Sequence, residues 1–168
     1  MRPLIALDLD DTICLNNPYG GYDVMQPIWP SDLATRLWHP PALDVLRPIV
    51  AELNPQIVIT SSWLRVMELA AIDNLFRVTG AAWLADVLHP EGEPVQNSGW
   101  TRVMAIEDWL ARHHRGEPYV VIDDPLSGTG LEGSRHDVAG RLVLCEVNVG
   151  LLPVHGVRIR NALTQPIA

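Results

Sequence analysis

The chain has 168 residues, 48% of them hydrophobic and 19% charged, and carries a formal net charge of −8 at pH 7. That length suits one domain with a core of ordinary size, and that composition excludes a disordered chain. The acidic balance argues against a broad electropositive surface for gripping nucleic acid by its phosphates, yet it leaves room for a phosphate substrate held through a metal.

No apolar run reaches the length of a membrane span, and the first residues lack the pattern of a signal peptide, so the expectation is a cytoplasmic protein with no membrane partner. Cys14 and Cys145 are too few and too far apart for a disulfide framework or a CxxC site. They read as reduced, buried thiols.

Taken in chain order, the first apolar run covers residues 4–8 and stops at Asp8-Leu9-Asp10-Asp11-Thr12. Residues 16–40, rich in Pro, Gly, Tyr and Trp, are too long for a turn and predict a flap or small insertion over the sheet edge. A helix is predicted over residues 41–53, with Pro41 at its first position and Pro48 marking a kink or a late start. Residues 56–60 (Gln56-Ile57-Val58-Ile59-Thr60) predict a second strand, and residues 64–78 a helix closed by Gly80. A second connection spans residues 83–98, followed by a helix over 100–114. Strands at 118–122 and 142–147 enclose a polar, Gly-rich loop from Asp123 to Gly140, and a short helix over 155–164 closes the chain. Continuous hydrophobicity in the strand runs suits burial on both faces of a parallel sheet. Strand, helix, strand in sequence points to right-handed βαβ units.

In such sheets ligands bind beyond the carboxyl ends of the strands. The first strand delivers Asp8 and Asp10 there, the second Thr60-Ser61-Ser62, and the third Asp123-Asp124. Two carboxylates two residues apart share a side, and their repulsion calls for a cation or a shared proton. Taken singly, each motif is also an ordinary turn or helix cap; three of them at consecutive strand ends favour a site. Arg102, at the start of the helix over 100–114, adds a guanidinium able to fork onto phosphate oxygens. Trp63 offers a ring for stacking on a base, although a Trp there is more often core. Ser127-Gly128-Thr129-Gly130 lacks the GK[ST] of a nucleotide-binding P-loop, so kinase chemistry is not expected.

The order DLDDT (Asp8 to Thr12), IVITSS (Ile57 to Ser62), Arg102 and VVIDD (Val120 to Asp124) resembles the four motifs of the haloacid dehalogenase-like (HAD) superfamily. Within it, the chain is similar to the HAD domain of Swiss Army Knife RNA repair proteins. Trp63 directly after the second motif, the IDD of the fourth and the Val149-Gly150-Leu151-Leu152-Pro153 turn carry that closer likeness.

The resemblance implies a single domain over residues 1–168, a three-layer α/β/α, Rossmann-like and mostly parallel fold, capless or with a minimal cap. It implies a Mg²⁺-dependent phosphohydrolase working through an aspartyl-phosphate. Asp8 would be the nucleophile and Asp10 the acid and base. The metal ligands would be Asp8, the Asp10 carbonyl, Asp123 and Asp124, which offer the oxygen donors that suit a hard cation. Thr60 and the Ser61 amide would hold a phosphoryl oxygen, with Arg102 balancing charge in place of the usual lysine. The expected substrate is a phosphomonoester, such as a nucleic-acid 3′ end or a nucleotide, and a protein partner is conceivable. The alternative is a non-catalytic metal-binding module with a regulatory or partner-binding role.

Overall fold

The computed structural model of the chain describes residues 1–166. Its centre is a parallel sheet of β1 (Leu4–Leu7), β2 (Gln56–Ile59), β3 (Tyr119–Asp123) and β4 (Leu142–Leu144) in the spatial order β2-β1-β3-β4. Among the described residues, eight α-helices connect and cover it. These are α1 (Gly21–Val24), α2 (Leu33–Arg36), α3 (Pro40–Leu53), α4 (Leu69–Val78), α5 (Ala82–Ala85), α6 (Arg102–His113), α7 (Arg135–Val138) and α8 (Pro153–Thr164).

Alternation along each strand sends side chains to opposite faces. Ile5, Leu7, Ile57, Ile59, Val120 and Ile122 share one buried cluster with Leu46 and Ile49 of α3, Leu75 and Phe76 of α4, and Ile159 and Leu163 of α8. Leu4, Val58, Val121 and Leu142 share the other with Ile106, Trp109 and Leu110 of α6. Both faces are therefore dry, which is why the strand runs read as unbroken hydrophobicity. The result is the expected three-layer α/β/α sandwich, and among the described residues no helix is long and apolar enough to cross a membrane.

The four-residue helices α1, α2, α5 and α7 fall in stretches read from the sequence as a flap, a connection and a polar loop, being too short to show a periodic pattern. Three boundaries also differ from the sequence reading. The helix expected over 64–78 is divided into a 3₁₀ turn, Ser62–Arg65, and α4. Trp63 is pinned beneath Trp38, with ring centroids 6.0 Å apart, and the Leu69 amide that begins α4 donates to Glu93 Oε2 at 3.3 Å. Each half thus answers to a different tertiary anchor. Helix α3 runs through Pro48 without interruption, so the expected late start does not occur. β4 ends at Leu144 because the chain closes at once into a turn in which Val149 and Gly150 donate to the Glu146 carbonyl at 3.0 and 3.1 Å.

That turn locks the first motif. Gly150 has φ of 76°, and a Cβ there would lie 2.8 Å from the Thr12 carbonyl oxygen, which itself accepts from Leu151 N at 3.0 Å. Asp11, at φ 53°, accepts from Asn148 N through Oδ1 at 2.7 Å. Gly150→Ala therefore combines a left-handed backbone with a backbone clash and is expected to destabilise by about 1–3 kcal/mol in denaturant unfolding.

Cys14 and Cys145 are both unpaired and buried, and burial pushes each thiol up to about 12. Both are expected to resist a thiol-specific disulfide reagent at pH 8 in the folded protein and to react fully once it is denatured. Rapid labelling of either in the native state would contradict this packing.

Candidate active site

The site follows from register. Leu7 is aligned with Ile59 on one side and Ile122 on the other, so the next residues, Asp8, Thr60 and Asp123, form a row across three strand ends. Backbone bonds tie the row together, with Thr60 N donating to Leu7 O and Asp8 N to Ile122 O, both at 2.9 Å. The row shares the parity of Ala6, Val58 and Val121, whose side chains lie on the α6 face. The start of α6 meets it there. Because the chain leaves β1 first toward β2 and later returns to β3 on the other side, this is also the point where the winding direction reverses and a crevice opens.

Arg102 spans that crevice. Its Nη2 donates to Asp8 Oδ1 at 3.3 Å, and its Nε lies 3.1 Å from Asp123 Oδ2, an ion-pair contact without hydrogen-bond alignment. The loop after β3 fixes the arginine from behind. Thr129 Oγ1 accepts from Arg102 N at 2.8 Å and Thr129 O from Val103 N at 3.2 Å. Ser127-Gly128-Thr129-Gly130, which lacks a P-loop signature, is the stretch that seats α6.

The carboxylates are oriented one by one. Asp123 Oδ1 accepts from the Asp124 amide at 2.9 Å. Asp124 Oδ1 accepts from the Leu126 and Ser127 amides at 2.7 and 3.1 Å, an Asx turn that leaves its other oxygen free. Asp8, Asp123 and Asp124 are fully buried and present oxygens within 4.8 Å of one another. Asp8 Oδ2, Asp124 Oδ2 and the Thr60 hydroxyl have no hydrogen-bond partner among the described residues.

Three buried carboxylates against one guanidinium leave the pocket short of positive charge. Burial, with Asp123 as a like neighbour, holds Asp8 well above the usual carboxylate range although Arg102 opposes it. Burial likewise pushes Asp123 up to about 7 against the pull of Arg102. Unpartnered buried oxygens are costly, and an all-oxygen donor set of this kind fits a hard divalent cation such as Mg²⁺. The Asp10 carbonyl accepts no hydrogen bond among the described residues.

The Asp10 side chain stands apart from that cluster. Its Oδ1 accepts from Asn16 Nδ2 at 3.0 Å and its Oδ2 from Trp63 Nε1 at 2.9 Å. Burial raises it, and these two donors lower it in part. Of the two readings of Trp63, a stacking ring or a core residue, the packing favours the core, since the residue is only 4% exposed. Trp38 stacks against it, and Gly21 packs so close that a Cβ would lie 2.8 Å from the indole. What reaches the site is its N–H. Ser61 caps the 3₁₀ turn, its Oγ accepting from Trp63 N at 3.4 Å, while its own amide donates to no protein group among the described residues.

Asn16 and Thr129 were not singled out in the sequence. Asn16 lies in a Pro- and Gly-rich stretch with no periodicity, and Thr129 acts through α6, so no spacing pattern marks either. His136, by contrast, lies against Tyr119 at the opening of β3, its Nδ1 2.8 Å from the phenol oxygen, at the end of the strand remote from Asp123.

Two clefts of about 240 Å³ flank the carboxylates. One, beside Asp10, is bordered by Asn16, Tyr22, Met25 and Val66; the other, beside Arg102, by Arg65, Gln96 and Trp100. Ser62 borders both.

A family model described as the HAD domain in Swiss Army Knife RNA repair proteins matches residues 4–155, which contain all four motifs. No curated protein and no solved structure matched the chain.

The charge imbalance has a measurable sign. A carboxyl whose folded pKa is raised binds its proton more tightly in the folded state, so metal-free stability falls as pH rises from about 4 through about 7, the value for Asp123. Asp123→Asn is expected to raise the metal-free Tm relative to wild type at pH 8, with the difference shrinking as pH falls and closing by about pH 4. Mg²⁺ is expected to raise the wild-type Tm at pH 8 but not that of the variant. Parallel melting curves with and without Mg²⁺ check both halves.

Proposed function

The chain belongs to the family of HAD domains in Swiss Army Knife RNA repair proteins, and from that membership we propose that it is a Mg²⁺-dependent phosphohydrolase working through an aspartyl-phosphate intermediate. The observation that carries the reading is the contrast between its two first-motif carboxylates. Asp8 is buried in the charge cluster with one oxygen held by Arg102 and the other free. Asp10 is held outside it by two neutral donors. Two like groups in unlike environments are what separate acid, base and nucleophile roles require.

In this reading the Asp8 carboxylate attacks the phosphorus of a phosphomonoester and the ester oxygen departs in line, taking a proton from the Asp10 carboxyl. The product is an acyl phosphate on Asp8 and a free alcohol. Asp10, now ionised, then accepts a proton from a water that attacks the same phosphorus, releasing inorganic phosphate and restoring Asp8. Thr60 Oγ1 and the Ser61 amide donate to the equatorial oxygens, and Arg102 balances the charge they gather. Asp8, Asp123, Asp124 and the Asp10 carbonyl would hold Mg²⁺, which supplies further neutralisation of phosphoryl charge when bound.

The substrate we favour is a nucleic-acid 3′ end or a nucleotide. The segment over residues 16–40 carries only the four-residue helices α1 and α2, and the clefts on either side stay open to a polymer end as readily as to a small ester. The unpaired buried thiols are in keeping with a cytoplasmic setting.

The test is turnover of p-nitrophenyl phosphate with Mg²⁺, followed by a panel of 3′- and 5′-phosphorylated oligonucleotides and mononucleotides. Wild type is expected to release phosphate, and Asp8→Asn to lose at least about a thousandfold in kcat. Acid quenching of wild type during turnover is expected to trap phosphate on Asp8. Tight Mg²⁺ binding with no turnover of any phosphomonoester would instead favour a metal-binding module.

A further inference from the structure

We infer that the cleft beside Arg102 is a subsite for a second phosphate on the same substrate molecule, an inference that rests on the phosphohydrolase reading and narrows its substrate. The protein has 20 acidic residues and a net charge of −8, yet no carboxylate lines this cleft of about 240 Å³. Two arginines do, Arg65 and Arg102.

Arg65 is unlike the other arginines. Arg36, Arg77, Arg102, Arg112, Arg135 and Arg160 pair with carboxylates. Arg2, Arg115, Arg141 and Arg158 donate to carbonyl oxygens, and Arg47 lies over the Trp83 ring. Arg65 is exposed and has no ion pair, hydrogen bond or aromatic partner among the described residues. In the same wall the Gln96 amide nitrogen is buried with no hydrogen-bond partner among the described residues. Both unpartnered groups are donors, so the complementary ligand is an acceptor and, facing the unpaired Arg65 guanidinium, an anion.

The start of α6 does not supply this site. Its first free amides are already engaged, with Arg102 N and Val103 N on Thr129 and Met104 N on Thr101 Oγ1. Recognition falls to side chains. Arg102 also touches Asp8, so the cleft and the reacting centre are one side chain apart. A group bound at Arg65 therefore belongs to the molecule whose phosphate is being transferred. Trp100, half-buried in the same wall, gives a planar ring a surface to lie on. The second phosphate is either the terminal group of a nucleoside bisphosphate or the adjoining diester of a strand end, since both present the same anionic oxygens.

The experiment compares kcat/KM with Mg²⁺ for adenosine 3′-phosphate, adenosine 5′-phosphate, adenosine 3′,5′-bisphosphate and a 3′-phosphorylated dinucleotide. Wild type is expected to favour one of the two-phosphate substrates over the better monophosphate by about tenfold or more, the scale of one charge-assisted hydrogen bond. Preference for the bisphosphate identifies a terminal phosphate, and preference for the dinucleotide a diester. Arg65→Ala is expected to bring the ratio near one, Gln96→Leu to lower it, and Arg65→Lys to retain most of it. Calorimetry of adenosine 3′,5′-bisphosphate with Asp8→Asn protein supplies a readout free of turnover, in which adding Arg65→Ala is expected to weaken binding by about tenfold. Turnover with equal ratios in wild type and Arg65→Ala would overturn the subsite and leave the hydrolase standing. Arg65-dependent binding without turnover would sustain the subsite and overturn the hydrolase.

Discussion

Three carboxylates and one guanidinium share a buried volume, and the surrounding structure is arranged around that imbalance. Two unit charges 4 Å apart interact by about 4 kcal/mol at the effective dielectric near a protein surface, so packing Asp8, Asp123 and Asp124 together opposes folding. Arg102 relieves only part of it, because one cation faces three anions. The loop Ser127 to Gly130 seats the arginine, the Asx turn aims Asp124, and the Gly150 turn holds the strand exit in place. Each tethers a charge where folding alone would disperse it. Stability sacrificed in this way is what a preorganised site for a cation and a phosphate requires.

Arginine at this position also fits the composition. The chain contains no lysine, all twelve of its basic residues being arginine. A guanidinium brings a further property, since its separate nitrogens face Asp8 on β1 and Asp123 on β3 at once. A planar fork suits a position between two strands.

The flanks of the site divide the labour differently. Beside Asp10 the cleft presents exposed Tyr22, Met25 and Val66, apolar surface suited to the departing group that Asp10 would protonate. Beside Arg102 it presents the unpaired Arg65 and no carboxylate among the described residues. Ser62 lies between them, so a substrate with a ring on one side and a second anion on the other would bridge both. Trp63 ties this division to the core, with its ring packed on Trp38 and its N–H fixing Asp10.

The sequence by itself determined the order of the elements and the strand-end residues. An unbroken apolar run can only be buried on both faces, and the polar residues that end it must emerge at a sheet edge. Asp8, Thr60, Asp123 and the start of α6 at Arg102 were all legible on that ground. Tertiary structure alone decided which face they share, because parity acquires meaning only when register aligns Leu7 with Ile59 and Ile122. It also decided that Trp63 contributes an N–H rather than a face, that Asn16 and Thr129 belong to the site, and that the helix expected over 64–78 divides into two. These outcomes depend on contacts between segments far apart in the chain or without periodicity. A periodic pattern reports which side of an element is buried, but not what lies against it.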